Sequence, residues 1–305
     1  MKILDYIKSL FFFTVLLFLT GSFSDDVNKK NGLFESFENE FSEYFRYGSG
    51  GNRAEFTRVF GAASVIEPDT RVLSLKMDPD DNASPWQGPN ISSHSYYHYG
   101  TYAGRIKIPE VAQVQPDVGG VVGFFTYHND PEINGHSEID YEWLIADPEI
   151  IYMNAWLDTD APPEISRRRV GRIVNLAKGI VYTTTYTENI GDKTVRTELS
   201  GNENMPETIP AIENFNAAEQ FHIYGFDWEA ERIRWWIIHP ETSDTIVLWD
   251  YQGPRERITQ TPARFMLNIW HTNDWPVHTN NNSIERPVKP FGAEFDWVSY
   301  TPLTN

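Results

Sequence analysis

Along the chain, short segments in which Val, Ile, Thr, Tyr, Phe and Trp alternate with polar residues are separated by clusters of Gly, Pro, Asn and Asp. Residues 104–108, 120–127, 139–145, 150–157, 179–188, 221–228, 233–239, 245–251, 264–270 and 293–300 follow this form. Successive side chains on a strand point to opposite faces, so period-two alternation marks strands buried on one side. Strands at this spacing, punctuated by turn residues, predict an antiparallel sandwich or barrel. Any helix is expected to be short, at 161–171 or 214–220. No repeat or linker interrupts residues 32–305, which are expected to form one domain.

The start of the chain breaks the pattern. Lys2 and Lys8 flank the entry to an apolar run at 10–19 (LFFFTVLLFL), and Ser22-Phe23-Ser24 follows with small residues. A basic region, a short apolar core and a small-x-small site make up a secretory signal, here residues 1–24. The run is shorter than the ~20 apolar residues that span a bilayer. Residues 25–31 (DDVNKKN) read as a solvated leader. The mature chain is expected to be secreted or periplasmic, monomeric and without a membrane span.

Composition narrows the chemistry. The 305 residues contain 43 acidic against 25 basic side chains, for a net charge of -18, and no cysteine. Disulfides, thiol nucleophiles and cysteine metal sites are excluded. So strong a negative charge argues against a nucleic-acid partner and favours a neutral polymer over an anionic one. The one basic run, Arg167-Arg168-Arg169 with Arg172, reads as a solvated loop. The histidines are scattered, with no pair at metal-ligand spacing.

Residues 135–144 (GHSEIDYEWL) carry the chemistry. On a strand, Glu138, Asp140 and Glu142 share one face while Ile139, Tyr141 and Trp143 share the other. Like charges crowded on an ordered strand are destabilising, and such costs persist mainly where function needs them. A carboxylate nucleophile and a carboxylic acid flanking a sugar bond are what retaining glycoside hydrolysis requires. Four residues of straight strand separate the two backbones by about 13 Å, so the glutamates would have to converge over a curved, concave sheet. Asp140 between them can hydrogen-bond one, and its charge would help keep the acid protonated. A carboxylate calcium site and a solvated strand face remain alternatives at this point.

Aromatic side chains are abundant, with 10 Trp, 15 Tyr and 19 Phe. Trp143, Trp156, Trp270, Trp275 and Tyr97 are candidate platforms for sugar rings, because large apolar faces lose little freedom on binding. Asn154 and Asn268 stand near them in sequence as candidate partners for hydroxyls.

Five blocks in order resemble glycoside hydrolase family 16: Tyr99-Gly100-Thr101-Tyr102 with residues 105–109 (RIKIP), residues 120–127 (GVVGFFTY) leading into Glu138-Ile139-Asp140-Tyr141-Glu142, residues 224–228 (YGFDW) with 233–236, residues 266–270 (MLNIW) with Asp274-Trp275, and residues 295–301 (FDWVSYT). The resemblance implies a β-jelly-roll sandwich with a long cleft, and retaining endo-hydrolysis of a β-linked polysaccharide without a catalytic cofactor. By motif, Glu138 is the nucleophile, Glu142 the general acid/base and Asp140 the helper, with His136 at a substrate-contacting position. The single residue between Asp140 and Glu142 places the chain near the lichenase and xyloglucan endotransglucosylase branch. β-1,3-1,4-glucan is the leading substrate, with transglycosylation or a lectin-like binding role as alternatives. Asp296 matches the carboxylate that holds a structural calcium in lichenases. Asn90 and Ser92 stand where lichenases carry a glucose-holding Glu-x-Arg pair, and His136 and Ser137 replace a Trp and an Asp.

Overall fold

The computed structural model describes residues 32–48, 57–77, 88–110, 115–130, 135–157, 165–279, 283–287 and 289–303. Two antiparallel sheets make up almost all of it. One runs β15 (Thr245–Tyr251), β14 (Arg232–Ile238), β13 (His222–Glu229), β6 (Gly100–Lys107), β17 (Phe291–Pro302), β4 (Arg71–Met77), β3 (Thr57–Ala63), with β1 (Leu33–Glu35) also on β17. The other runs β12 (Lys193–Glu198), β11 (Ile180–Ile190), β10 (Ile165–Asn175), β9 (Ile150–Leu157), β8 (Gly135–Leu144), β7 (Gly120–Asp130), β16 (Ala263–His271), β5 (Asn90–Tyr97), β2 (Phe45–Tyr47). This is the expected jelly-roll sandwich.

Alternation explains why β8 sits where it does. Ile139, Tyr141 and Trp143 are fully buried between the sheets, whereas Glu138 and Glu142 reach the opposite, part-exposed face. Trp143 meets Tyr224 of the facing sheet edge-on at 4.7 Å, and Phe124 meets Phe226 at 5.7 Å. Edge-to-face pairs of this kind add about 0.5–1.5 kcal/mol to the area they bury. Two hydrogen bonds cross the core to the same strand: Trp235 Nε1 donates to the backbone oxygen of Asp140 at 3.0 Å, and the Tyr141 hydroxyl donates to that of Trp236 at 2.7 Å. Each supplies about 1 kcal/mol, and together they fix the height of β8 against β14.

Neither expected helix forms among the described residues, and residues 161–164 of the first lie outside them. Residues 165–171 belong to β10, and 214–220 are turns; among the described residues helix is confined to 3-10 turns at Gly201–Asn204 and Arg255–Arg257. The basic run is likewise a strand and not a loop. Arg172 is fully buried and donates to the carbonyls of Met205 and Pro206, while Arg169 faces the opposite way, onto the sheet's outer surface. No helix of the described residues is long and apolar enough to cross a membrane. Residues 1–31, with the expected signal and leader, lie outside the described residues.

Candidate active site

The outer face of the nine-stranded sheet is read row by row from its registers. Tyr127, Glu138, Trp156, Arg169 and Thr187 are direct partners across β7, β8, β9, β10 and β11. The next row places Phe125, Asp140, Asn154 and Gly171 side by side, and the one after it sets Gly123 beside Glu142. On the other flank, Asn268 pairs with both Gly123 and Asn90. These rows line a cavity of about 630 Å³ whose walls include His136, Glu138, Asp140, Glu142, Trp156, Asn268, Trp270 and Trp275.

The three carboxyls are held differently. His136 Nε2 lies 2.6 Å from Glu138 Oε2, and His136 in turn stacks on Trp156 at 6.0 Å. Asp140 is 2% exposed; its carboxyl bonds Glu138 and accepts from Trp156 Nε1 at 3.0 Å. Burial first, and then the charges of Glu138 and Glu142, push Asp140 well above the usual carboxylate range. The bond to Glu138 raises it further, as it does when Asp140 is the donor and Glu138 the acceptor. The charge that raises the neighbouring acid is that of Glu138, where the sequence pointed to that of Asp140. Glu142 bonds the Trp270 indole and is pushed up to about 8, by burial first and the charge of Glu138 second, with Arg169 opposing. One flanking glutamate is thus a carboxylic acid at pH 7, while the other accepts hydrogen bonds. That division suits an acid and a nucleophile.

The other expected contacts divide into two groups. Trp156, Trp270, Trp275, His136 and Asn268 all line the cavity, with Trp270 and Trp275 edge-on at 5.6 Å. Trp143 and Tyr97 do not. Trp143 shares the core parity of Ile139 and Tyr141, and Tyr97 is 2% exposed with its ring 4.7 Å from that of Tyr300. Neither reaches the cavity, and both are core residues. Asn154 stands on the correct face beside Asp140 but is 8% exposed, its Oδ1 packed over Gly171, where a Cβ would lie only 2.7 Å away. It supports the wall and does not line the cavity.

Several lining residues were not expected, among them Phe125, Tyr127, Arg167 and Arg169; Asn90, which the motif puts where a sugar-holding pair stands, lines the cavity as well, and Ser92 does not. Asn90 and Asn268 face each other across β5 and β16, each with a buried Oδ1 that finds no donor among the described residues. The arginines carried a usable signal: in a strand, Arg167 and Arg169 share one face.

Asp296 does not fit a calcium ion. Arg105 donates to it at 2.7 Å and to Glu67 at 2.6 Å, so a guanidinium occupies the place of a cation. Among the described residues no group of three or more His, Asp or Glu side chains is arranged for a metal.

Comparison with known proteins agrees with this architecture. The chain is 25% identical over 234 residues to a beta-glucanase of Brevibacillus brevis, covering 73% of this chain and 64% of that protein. It is 23% identical over 270 residues to a beta-glucanase of Acetivibrio thermocellus, covering 87% and 61% respectively. It thus spans a little under two thirds of the length of these relatives. The crystal structure of a prokaryotic β-1,3-1,4-glucanase (lichenase) from a mouse hindgut metagenome superposes with a TM-score of 0.52 at 22% identity, over 90% of this chain and 100% of that one. The family model for glycosyl hydrolases family 16 matches residues 52–172 and 173–287, so the chain belongs to that family.

Proposed function

We propose that this chain is a retaining, endo-acting glycoside hydrolase that cleaves a β-linked glucan, with Glu138 as nucleophile and Glu142 as general acid/base. The observation that carries the proposal is the unequal pair on one strand face: Glu142 is bonded to the Trp270 indole and pushed up to about 8, and Glu138 is held by His136 and Asp140. An oxygen of Glu138 attacks the anomeric carbon. The glycosidic oxygen leaves with the proton of Glu142, and the sugar remains as an ester on Glu138. Glu142, now a carboxylate, removes a proton from water as it attacks the same carbon. The ester breaks, Glu138 is released, and Glu142 regains its proton. The two displacements return the original anomeric configuration. Asp140 withdraws charge from Glu138 as the ester forms and breaks, and Trp156 holds Asp140 in place. No step uses a cofactor.

The cavity lies open along the sheet and is lined by Trp156, Trp270 and Trp275, which suits internal cleavage of a long polymer. The named relatives are beta-glucanases, which supports β-1,3-1,4-glucan as the first substrate to test. The signal read in residues 1–24 supports export, and the residues assigned to the site all come from one chain, which suits a monomer. The test is product release by the full chain from barley β-glucan, lichenan, laminarin, xyloglucan and agarose, with Glu138→Gln as control. Oligosaccharides from mixed-linkage glucan, absent with the variant, are the expected result. Binding without release from any polymer would favour a lectin, and longer products in the presence of acceptor sugars would identify a transglycosylase.

A further inference from the structure

Arg105, Arg232, Arg234 and Arg257 each grip an Asp or Glu carboxylate, at 2.6, 2.6, 2.5 and 3.0 Å. Arg167 and Arg169 behave otherwise. Neither forms a salt bridge to a carboxylate among the described residues, despite the net charge of -18, although Arg169 feels the charges of Glu142 and Asp140. Their guanidinium carbons stand 5.9 and 4.6 Å from the centre of the Trp156 ring, which leaves their N–H forks free. Both line the main cavity, and both also line a smaller one of about 140 Å³ beside it.

The rest of the smaller cavity is Trp156, Thr187, Asn189 and Thr194, with no carboxylate. Registers explain the assembly. Arg169 pairs with Thr187, and Arg167 with Asn189, which pairs in turn with Thr194; Arg196 stands opposite Thr187 on the edge strand. Arg167 and Arg169 lie in unbroken register with Gly171, so alternation alone brings both arginines to this face. The Thr187 hydroxyl is buried there with no partner among the described residues, and Thr194 donates to Asn189 Oδ1 at 3.0 Å, which leaves the Asn189 amide NH2 group as the donor still to be used. Arg169 also favours the charged form of Glu142, but that role explains neither Arg167 nor the lined cavity with its orphan hydroxyl.

We propose that this end of the cleft is an anion subsite, which receives a sulfate ester or carboxylate carried by the polysaccharide. The proposal rests on the glycoside hydrolase reading of the cleft and specifies its substrate: a chain with a negatively charged substituent to one side of the scissile bond. Arg169 lies two strands from Glu138, about 10 Å at ordinary strand spacing, so the charged unit is close to the cleaved one but distinct from it. Two guanidinium groups over an indole, a hydroxyl and an amide match the acceptor oxygens of either anion. The local cluster reverses the preference for neutral polymers that net charge alone suggests.

Affinity electrophoresis tests it with barley β-glucan, its carboxymethylated derivative and its sulfated derivative, using the full chain bearing Glu138→Gln so that binding is read without turnover. At low ionic strength one or both anionic polymers should bind about tenfold more tightly than the neutral one, with 0.5 M NaCl removing the difference. Preference for the carboxymethylated polymer points to a uronate, and preference for the sulfated one to a sulfate ester. Adding Arg167→Gln and Arg169→Gln should abolish the preference, and Arg169→Lys should restore part of it. Arg196→Gln, on an edge strand exposed throughout, guards against misfolding and should reduce the preference about two- to threefold. Equal binding of all three polymers, or a preference that survives the double substitution, would overturn the subsite. Turnover by the unsubstituted chain separates the two readings. Release from neutral glucan with no anionic preference retains the hydrolase and removes the subsite. Arginine-dependent anionic binding with no product from any polymer retains the subsite and removes the hydrolase.

Discussion

Trp156 Nε1 donates to Asp140 Oδ2 at 3.0 Å from the neighbouring strand, and Asp140 passes a hydrogen bond on to Glu138. This relay ties the position of the proposed nucleophile to a residue that never touches the reacting carbon. It predicts that Asp140→Asn, which keeps one donor and one acceptor, lowers kcat about tenfold, whereas Asp140→Ala lowers it a hundredfold or more. If Asp140 worked through its charge, the two substitutions would be equally damaging.

Glu138→Gln and Glu142→Gln should each lower turnover on polysaccharide at least about a thousandfold without loss of fold. The roles separate on an aryl glycoside whose leaving group needs no proton. There Glu142→Gln should recover most of its first-step rate, and Glu138→Gln should recover none.

The acid held up to about 8 gives a pH signature. kcat/KM should fall tenfold per pH unit above about pH 8, and that limb should vanish in Glu142→Gln. Stability follows the same group. Between the ordinary value of 4.5 and about 8, folded Glu142 keeps a proton that the unfolded chain has released. Stability is therefore lost as pH rises through that window and is level above it. Glu142→Gln should melt a few degrees above the parent at pH 8 and with it at pH 4.

Much of this arrangement is legible in the sequence because it is local. The alternation in 135–144 separates Ile139, Tyr141 and Trp143 from the carboxyls, and the same parity already argues that Trp143 cannot face a substrate. What is not legible depends on long-range pairing. Strand β12 is exposed throughout and has no apolar face to mark it, and β10 hides its inward row behind Arg172, a cation buried only because two distant carbonyls receive it. The run at 167–169 thus looks solvated, although it supplies one wall of the cleft. The pairing of Asp296 with Arg105 and Glu67 is invisible for the same reason: the partners come from three separate stretches of chain.

Trp143 and Trp275 make a controlled comparison. Trp143→Ala should cost about 3–5 kcal/mol of stability by opening a cavity against Tyr141 and Tyr224. Trp275→Ala, at the cleft wall and only partly buried against Tyr152 and Trp270, should cost clearly less stability than Trp143→Ala and raise KM several-fold. Chemical denaturation and steady-state kinetics on the same two variants decide it.

The central claim is a double displacement through Glu138. Proton NMR of the anomeric signals during the first minutes of β-glucan cleavage tests it most directly, before mutarotation mixes the products. The β-anomer of the new reducing end should appear first. First appearance of the α-anomer would mean single displacement by water, and would contradict the assignment of Glu138 as nucleophile.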